Sequence, residues 1–498
     1  MLDQQPNPHP APLGRLAGML GRAAICAVAL LISLMIAAPG LLFGGGNNRV
    51  DEQLTARLHA VGFTGQIEST LTRRLGRPIN RPLANIGRLL WFDTITGLKG
   101  DNTCAGCHSP TNGFGDSQPI AIGIDNNGIV GPDRAGPRNM RRAPMVLDTA
   151  FFPALMWNGR FASSSDDPFD NSAGFIFPPP EGSSLSGEPH LLVAQAFIPP
   201  TERTEVAGFD FPGDNNALRA EVIHRLNSVP AYRRLFGRVF PAVGAGATIT
   251  YEMFASAIAE FEFRLTFADA PIDQYAQGDL SALTPSEKSG ALLFFGRAGC
   301  VSCHSVSGSS NEMFTDFKEH AIGVPQLVPQ LTNNQFDGPD ANQDYGREGF
   351  TGDQQDRYKF RTPSLRNVAV EAAYMHDGAF TNLVAAIRHH LNARASLQGY
   401  DPAKQGLPQD LAGPIGPREP LLAALDPRAA NPVNLMPAEI DDLVRFVRDA
   451  LLDPRATPAN LRHFVPPTLP SGNAPLSFEF AHTHETHRPS TQRQRARG

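Results

Sequence analysis

The sequence predicts a mainly α chain built as two similar halves joined by long loops. Three observations carry that reading. Apolar residues recur at three- and four-residue spacing over 51–61, 216–226, 251–263 and 437–452, the period of a helix with one buried face. Strand-type alternation is scarce. The pentapeptide Cys-x-x-Cys-His occurs twice, at 104–108 and 300–304.

The chain has 498 residues, enough for two or three domains. Charged residues make up 18% and the net charge is −6, which excludes a disordered polyelectrolyte and leaves no basic footprint for nucleic acid. Residues 23–43 are almost wholly apolar and follow Arg15 and Arg22, so they read as an export signal or membrane anchor with a cytoplasmic basic flank. The run reaches the roughly 20 residues that span a bilayer, while Ala37-Ala38 before Pro39 resembles a cleavage site. Either way, everything from about residue 50 on is expected in the periplasm or cell envelope. Cys26, inside that run, reads as a small buried hydrophobe. Thr284-Pro285-Ser286-Glu287 is a capping box with proline at the first helical position, and it opens a second unit. The expected division is 1–49 signal or anchor, 50–278 first domain, 279–465 second domain and 466–498 a polar, proline-rich disordered tail. Loops at 109–140, 162–190 and 305–360, with 46 glycines and 44 prolines in the chain, are long enough to be wrapped around something.

The pentapeptide supplies that something. Two thiols add to the two vinyl groups on one porphyrin edge, and the adjacent histidine then lies under the iron, which is the attachment chemistry of haem c. A redox Cys-x-x-Cys needs no fixed histidine, and a zinc site needs both pairs on one metal. Cys104, Cys107 and His108 therefore bind one haem and Cys300, Cys303 and His304 a second, giving two cytochrome c-like haem domains with two covalently bound haem c. Four of the five cysteines are used, and no pair remains for a disulfide.

The surrounding blocks resemble the bacterial diheme cytochrome c peroxidase family, which includes the MauG-type enzymes that oxidise protein side chains. The blocks are Ile86-Gly87-Arg88-Leu89-Leu90-Trp91-Phe92-Asp93, Met156-Trp157-Asn158-Gly159-Arg160, Leu292-Leu293-Phe294-Phe295-Gly296, Phe314-Thr315-Asp316, Ile322-Gly323-Val324-Pro325, Phe360-Arg361-Thr362-Pro363-Ser364-Leu365-Arg366-Asn367 and Tyr374-Met375-His376-Asp377-Gly378. The resemblance implies a peroxidatic first haem, a second haem that receives electrons, and a tryptophan between them. Trp157 matches that bridge, with Asn158 in place of the family's aspartate, while Trp91 reads as packing. The family's acid/base is a glutamate with a glutamine ten residues earlier, a spacing kept by Glu205 and Gln195, with Glu202 as rival.

Two departures stand out. Reductively activated members carry a distal histidine after Ile-Gly, where this chain has Ile122-Gly123-Ile124, and no histidine occurs over 109–189. The first haem is thus expected to be five-coordinate or water-bound, with Met140, Met145 and Met156 as alternative caps. On the second haem, the family's distal position falls on His390 instead of methionine or tyrosine, with His389 and Met375 as alternatives; adjacent helical residues point about 100° apart, so one of the two histidines faces the iron.

The resemblance also implies one calcium ion, for which Asn139 and the carbonyls of Glu371 and Ala373 are the nearest equivalents. In the tail, the alternating histidines His482, His484 and His487 read as adventitious metal affinity. The expected function is reduction of hydrogen peroxide to water, with electrons from a small c-type cytochrome or other periplasmic donor entering at the second haem. The alternative is a MauG-type oxidase acting on a side chain of a partner protein, and the third reading a non-catalytic electron-transfer cytochrome.

Overall fold

The computed structural model describes residues 45–480 apart from 179–180, 334–335 and 339–341. Helix α1 (Gly45–Ala60) precedes α2 (Arg81–Phe92), the short α3 (Cys104–Cys107) and α4 (Leu191–Gln195), then α5 (Asn215–Ser228), α6 (Pro230–Val239), α7 (Tyr251–Phe263), α8 (Pro285–Phe294), α9 (Leu383–Leu391) and α10 (Pro437–Arg445). Strands of two or three residues punctuate the loops: β1 (Ile129–Val130), β2 (Ala154–Leu155), β3 (Phe161–Ser163), β4 (Phe175–Ile176), β5 (Glu319–His320), β6 (Phe360–Arg361) and β7 (Ser477–Phe478). β2, β3 and β4 form an antiparallel sheet, and β5 pairs antiparallel with β6.

One plan is used twice. α2 crosses α7, and α8 crosses α10, each first helix leading into a Cys-x-x-Cys-His pentapeptide. Both crossings occur at a glycine. A Cβ at Gly87 would stand 1.8 Å from the Ala257 carbonyl oxygen, and one at Gly290 would stand 2.1 Å from that of Asp442, so only a bare backbone permits either approach. The helix starts follow their sequence signals. Asn80 accepts from the Leu83 amide at 3.1 Å to cap α2, and Thr284 and Glu287 exchange the two bonds of a capping box at α8 (3.3 and 2.6 Å).

Each half buries an aromatic cluster beside its pentapeptide. Trp91, Phe114, Phe261 and Phe464 meet near edge-to-face in the first, and Phe63, Phe294, Phe295, Phe314 and Phe446 in the second. Phe114 and Phe314 share a positive φ (56° and 55°), a conformation that bulky residues hold only where packing enforces it.

From Gln53 on, the chain is one unit by contact. Leu54, Leu58 and Phe63 enter the second core, while Leu461, Phe464 and Leu469 enter the first. The two ends therefore cross over, which linear boundaries at 278 and 465 do not express. The expectation of a disordered tail from residue 466 needs correction through residue 480. Ser471 Oγ donates to Asp93 (2.7 Å) and Asn473 donates to Thr94 (3.1 Å). β7 pairs in parallel with β1, and Phe478 packs on Phe92 at 5.4 Å between ring centres. The apolar run at 23–43 with Cys26, and the histidines at 482–487, lie outside the described residues; among those described, no helix is long and apolar enough to cross a membrane.

Candidate haem sites

Each pentapeptide faces a cavity. In the first, of about 270 Å³, Cys104, Cys107 and His108 share the lining with Gln195, Glu202, Glu205, Trp157 and Met140, Met145 and Met156. His108 Nδ1 lies 2.9 Å from the Pro144 carbonyl oxygen, which leaves Nε2 as the free ring nitrogen. Burial pulls His108 down to about 4, so the imidazole is neutral, the form a metal requires. Burial pushes both thiols up to about 12, and none of the four described cysteines is in a disulfide. Trp91 packs on the His108 ring at 5.9 Å and on Phe261 at 5.5 Å.

Glu205 sits on a wide helical turn, Arg203–Ala207. Burial, then the charge of Glu202, pushes its carboxyl up to about 7 against the opposing pull of Arg160. Arg160 pairs with Glu202 at 3.5 Å. Asn102 fastens the turn to the pentapeptide by donating to the Glu205 carbonyl at 2.9 Å. The loop at Ile122-Gly123-Ile124 lies on the same turn, with the Ile124 amide donating to the Thr204 carbonyl at 3.2 Å. Among the described residues, His108 is the one histidine lining this cavity.

The second cavity, about 440 Å³, contains Cys300, Cys303, His304, Met375, His376 and His390. His304 Nδ1 is held 2.9 Å from the Phe314 carbonyl oxygen and His390 Nδ1 2.9 Å from that of Ala386, one turn back on α9. Their ring centres stand 6.1 Å apart. Two imidazoles bound through Nε2 at about 2.0 Å to one ion span roughly that distance, so the pair fits an iron between them. His389 is committed elsewhere, Nδ1 to Ser396 Oγ (3.0 Å) and Nε2 to the Ile322 carbonyl (2.9 Å).

Trp157, Arg142 and Arg361 line both cavities. The Trp157 indole N–H donates to the Arg142 carbonyl at 2.9 Å, and its own carbonyl accepts from the Arg361 amide at 2.6 Å. Sequence reasoning assigned no role to Arg142, Arg361 or Glu262. Arg361 is buried, is pulled down to about 10 by that burial, and forms no ion pair among the described residues; an unpaired buried guanidinium suits the carboxylates of a haem edge. Its signal was its place in the Phe-Arg-Thr-Pro block. Glu262, on α7, lines the first cavity, is pushed up to about 8 by burial and has Oε2 without a hydrogen-bond partner.

A cation of the protein itself already stands beside one of the residues expected around calcium. Asn139 lines the first cavity alone, with Oδ1 unpartnered, while Glu371 and Ala373 line the second. The Glu371 side chain takes the Arg142 guanidinium, and calcium demands six to eight oxygens rather than a fixed cation beside them.

Two cavities, each with a neutral histidine beside a Cys-x-x-Cys pair and one joined to the other through a tryptophan, define a diheme c-type cytochrome with a chemically equipped first site. Comparison with known proteins gives the family. The sequence model of the di-haem cytochrome c peroxidase family matches residues 81–281. The methylamine utilization protein MauG of Methylorubrum extorquens is 31% identical over 335 residues, 65% of this chain and 75% of that protein. The cytochrome c551 peroxidase of Pseudomonas aeruginosa is 27% identical over 67% of this chain and 78% of its own. Among solved structures, a MauG-like protein associated with microbial copper homeostasis superposes with a TM-score of 0.54 at 23% identity, over 76% of this chain and 91% of the other, a likeness of fold. The chain belongs to the di-haem cytochrome c peroxidase family and is a diheme peroxidase, an oxidoreductase.

Proposed function

We propose that this chain reduces hydrogen peroxide to water in the first cavity with electrons delivered through the second. When bound, the haem would supply a redox-active iron that activates the peroxide. His108 would hold that iron through Nε2. Ionised Glu205 takes the proton from the near peroxide oxygen and returns it to the far one, so that the far oxygen departs as water; two further protons and two electrons complete the second water. Gln195 orients the peroxide beside Glu205, whose carboxyl the charge of Glu202 raises and that of Arg160 lowers. Trp157 relays electrons, and His304 and His390 would hold the second haem. The single observation carrying the reading is a half-buried carboxyl poised near neutrality in the same cavity as His108.

The electron donor is a small c-type cytochrome or another periplasmic carrier, and export follows from the 23–43 segment and the haem c chemistry. The crossing helix pairs support a first haem domain within 50–278 and a second within 279–465. Steady-state peroxide consumption with a reduced small cytochrome tests the function; no turnover with any such donor sinks it. A second reading, a MauG-type oxidase that draws electrons from a partner protein's side chain, is supported by the lack of a distal histidine in the first cavity among the described residues. It predicts an oxidative mass change on a neighbouring protein after peroxide. A purely electron-transferring cytochrome would leave peroxide untouched.

A further inference from the structure

Arg142 is the least explained charge in the molecule. It is buried, its amide donates to the His376 carbonyl at 2.8 Å, and its Nη2 donates to the Asp116 carbonyl at 3.1 Å and to the Glu371 carboxylate. Asp116 belongs to the loop after the first pentapeptide, and Glu371 and His376 belong to the segment before α9. The guanidinium therefore joins the two halves by spanning Asp116 and Glu371, and the Arg142 amide adds a bond to His376, beside one of the residues that the family resemblance implied around a bound cation. Gly115 makes room, since a Cβ there would stand 2.8 Å from both Glu371 carboxylate oxygens. The backbone carbonyl of the same arginine is the acceptor for the Trp157 indole N–H.

We propose that the Arg142 guanidinium is this chain's built-in substitute for a bridging calcium ion, joining the two halves and fixing Trp157 for electron transfer between them. A mobile divalent cation has become a covalently attached monovalent one, with Glu371 supplying the anionic partner that backbone carbonyls alone would not. Arg142 is a positioning residue, acting through its carbonyl on Trp157 and through its side chain on Glu371. The proposal rests on the relay role proposed for Trp157, and its two arms separate the failure of one from the failure of the other.

The first arm uses the wild-type holoprotein, dialysed against EGTA. Metal analysis is expected to find well under one calcium per chain, and neither EGTA nor added calcium moves the melting midpoint or the ferric spectrum. One retained calcium, or a midpoint that falls on chelation, overturns the substitution. The second arm follows electron transfer from the reduced second haem to the first after rapid mixing with peroxide. Arg142→Gln is expected to slow it at least tenfold and Arg142→Lys to keep it within about threefold, a rescue that loss of packing alone would not give. Transfer at the wild-type rate in Arg142→Gln contradicts the positioning role. If that variant does not fold, Glu371→Gln, which removes only the anionic partner, is read the same way. Absence of any inter-haem transfer in the wild type would instead count against the relay, and the calcium arm would still decide the substitution.

Discussion

Glu205→Gln separates the proton-moving role of this residue from its bulk. The side chain keeps its size, and the carbonyl oxygen still accepts, but no proton is exchanged. Positioned acid/base groups contribute about 10²- to 10⁴-fold, so kcat/KM for peroxide should fall by at least about 100-fold. The pH dependence carries the sign. In the proposed role Glu205 works as the carboxylate, and burial, then the charge of Glu202, raises its carboxyl to about 7. The wild-type rate should therefore rise about tenfold per unit up to pH 7 and level off above it, whereas the variant's profile is flat there. Stability moves the opposite way. A carboxyl whose folded value exceeds its unfolded one stabilises the fold fully below about 4.5, and that stability is lost as pH rises through 7, an amount on the order of 3 kcal/mol. The variant, never charged, should melt higher than wild type at pH 8 and about equally at pH 4. Stopped-flow peroxide kinetics and thermal melts across pH 5–9 measure both. A variant within threefold of wild type, or one that keeps the inflection near 7, refutes the assignment.

Other expectations follow from the same geometry. His390→Met should abolish the low-spin bis-histidine signature and raise the second haem's potential by on the order of 0.1 V, while His389→Gln leaves the signature in place; redox titration with electron paramagnetic resonance reads both. Gly290→Ala should destabilise the fold by about 1–3 kcal/mol or more by forcing α8 off α10, measured by denaturant unfolding. Truncation before residue 466 strips β7 and the Ser471 bonds to Asp93 from the first half, and should lower the melting midpoint rather than leave it unchanged.

What was legible in the sequence was what covalent spacing and local periodicity encode. The pentapeptides announce their chemistry because five consecutive residues hold all of it, and Thr284 announces α8 because a cap is local. Gln195 and Glu205 were reached only through a family resemblance, since nothing local distinguishes Glu205 from Glu202; in the fold Glu202 is the one that pairs with Arg160. His389 and His390 were equivalent as text. They part because Ala386 lies one turn behind His390, whereas Ser396 and Ile322 close around His389. The stretch at 466–480 looked like tail because its partners, Asp93 and β1, lie hundreds of residues earlier in the chain. Arg142 was invisible for a related reason: its meaning depends on Glu371 and Asp116, brought to it by two different loops.

In the proposed enzyme one haem is open for peroxide and the other is closed by two histidines. Electron paramagnetic resonance of the resting ferric holoprotein tests it most directly. One high-spin or water-bound haem and one low-spin bis-histidine haem are expected in equal amounts, with the first alone changing on addition of peroxide. Two low-spin haems inert to peroxide, or a second haem lacking the bis-histidine signature, would contradict it.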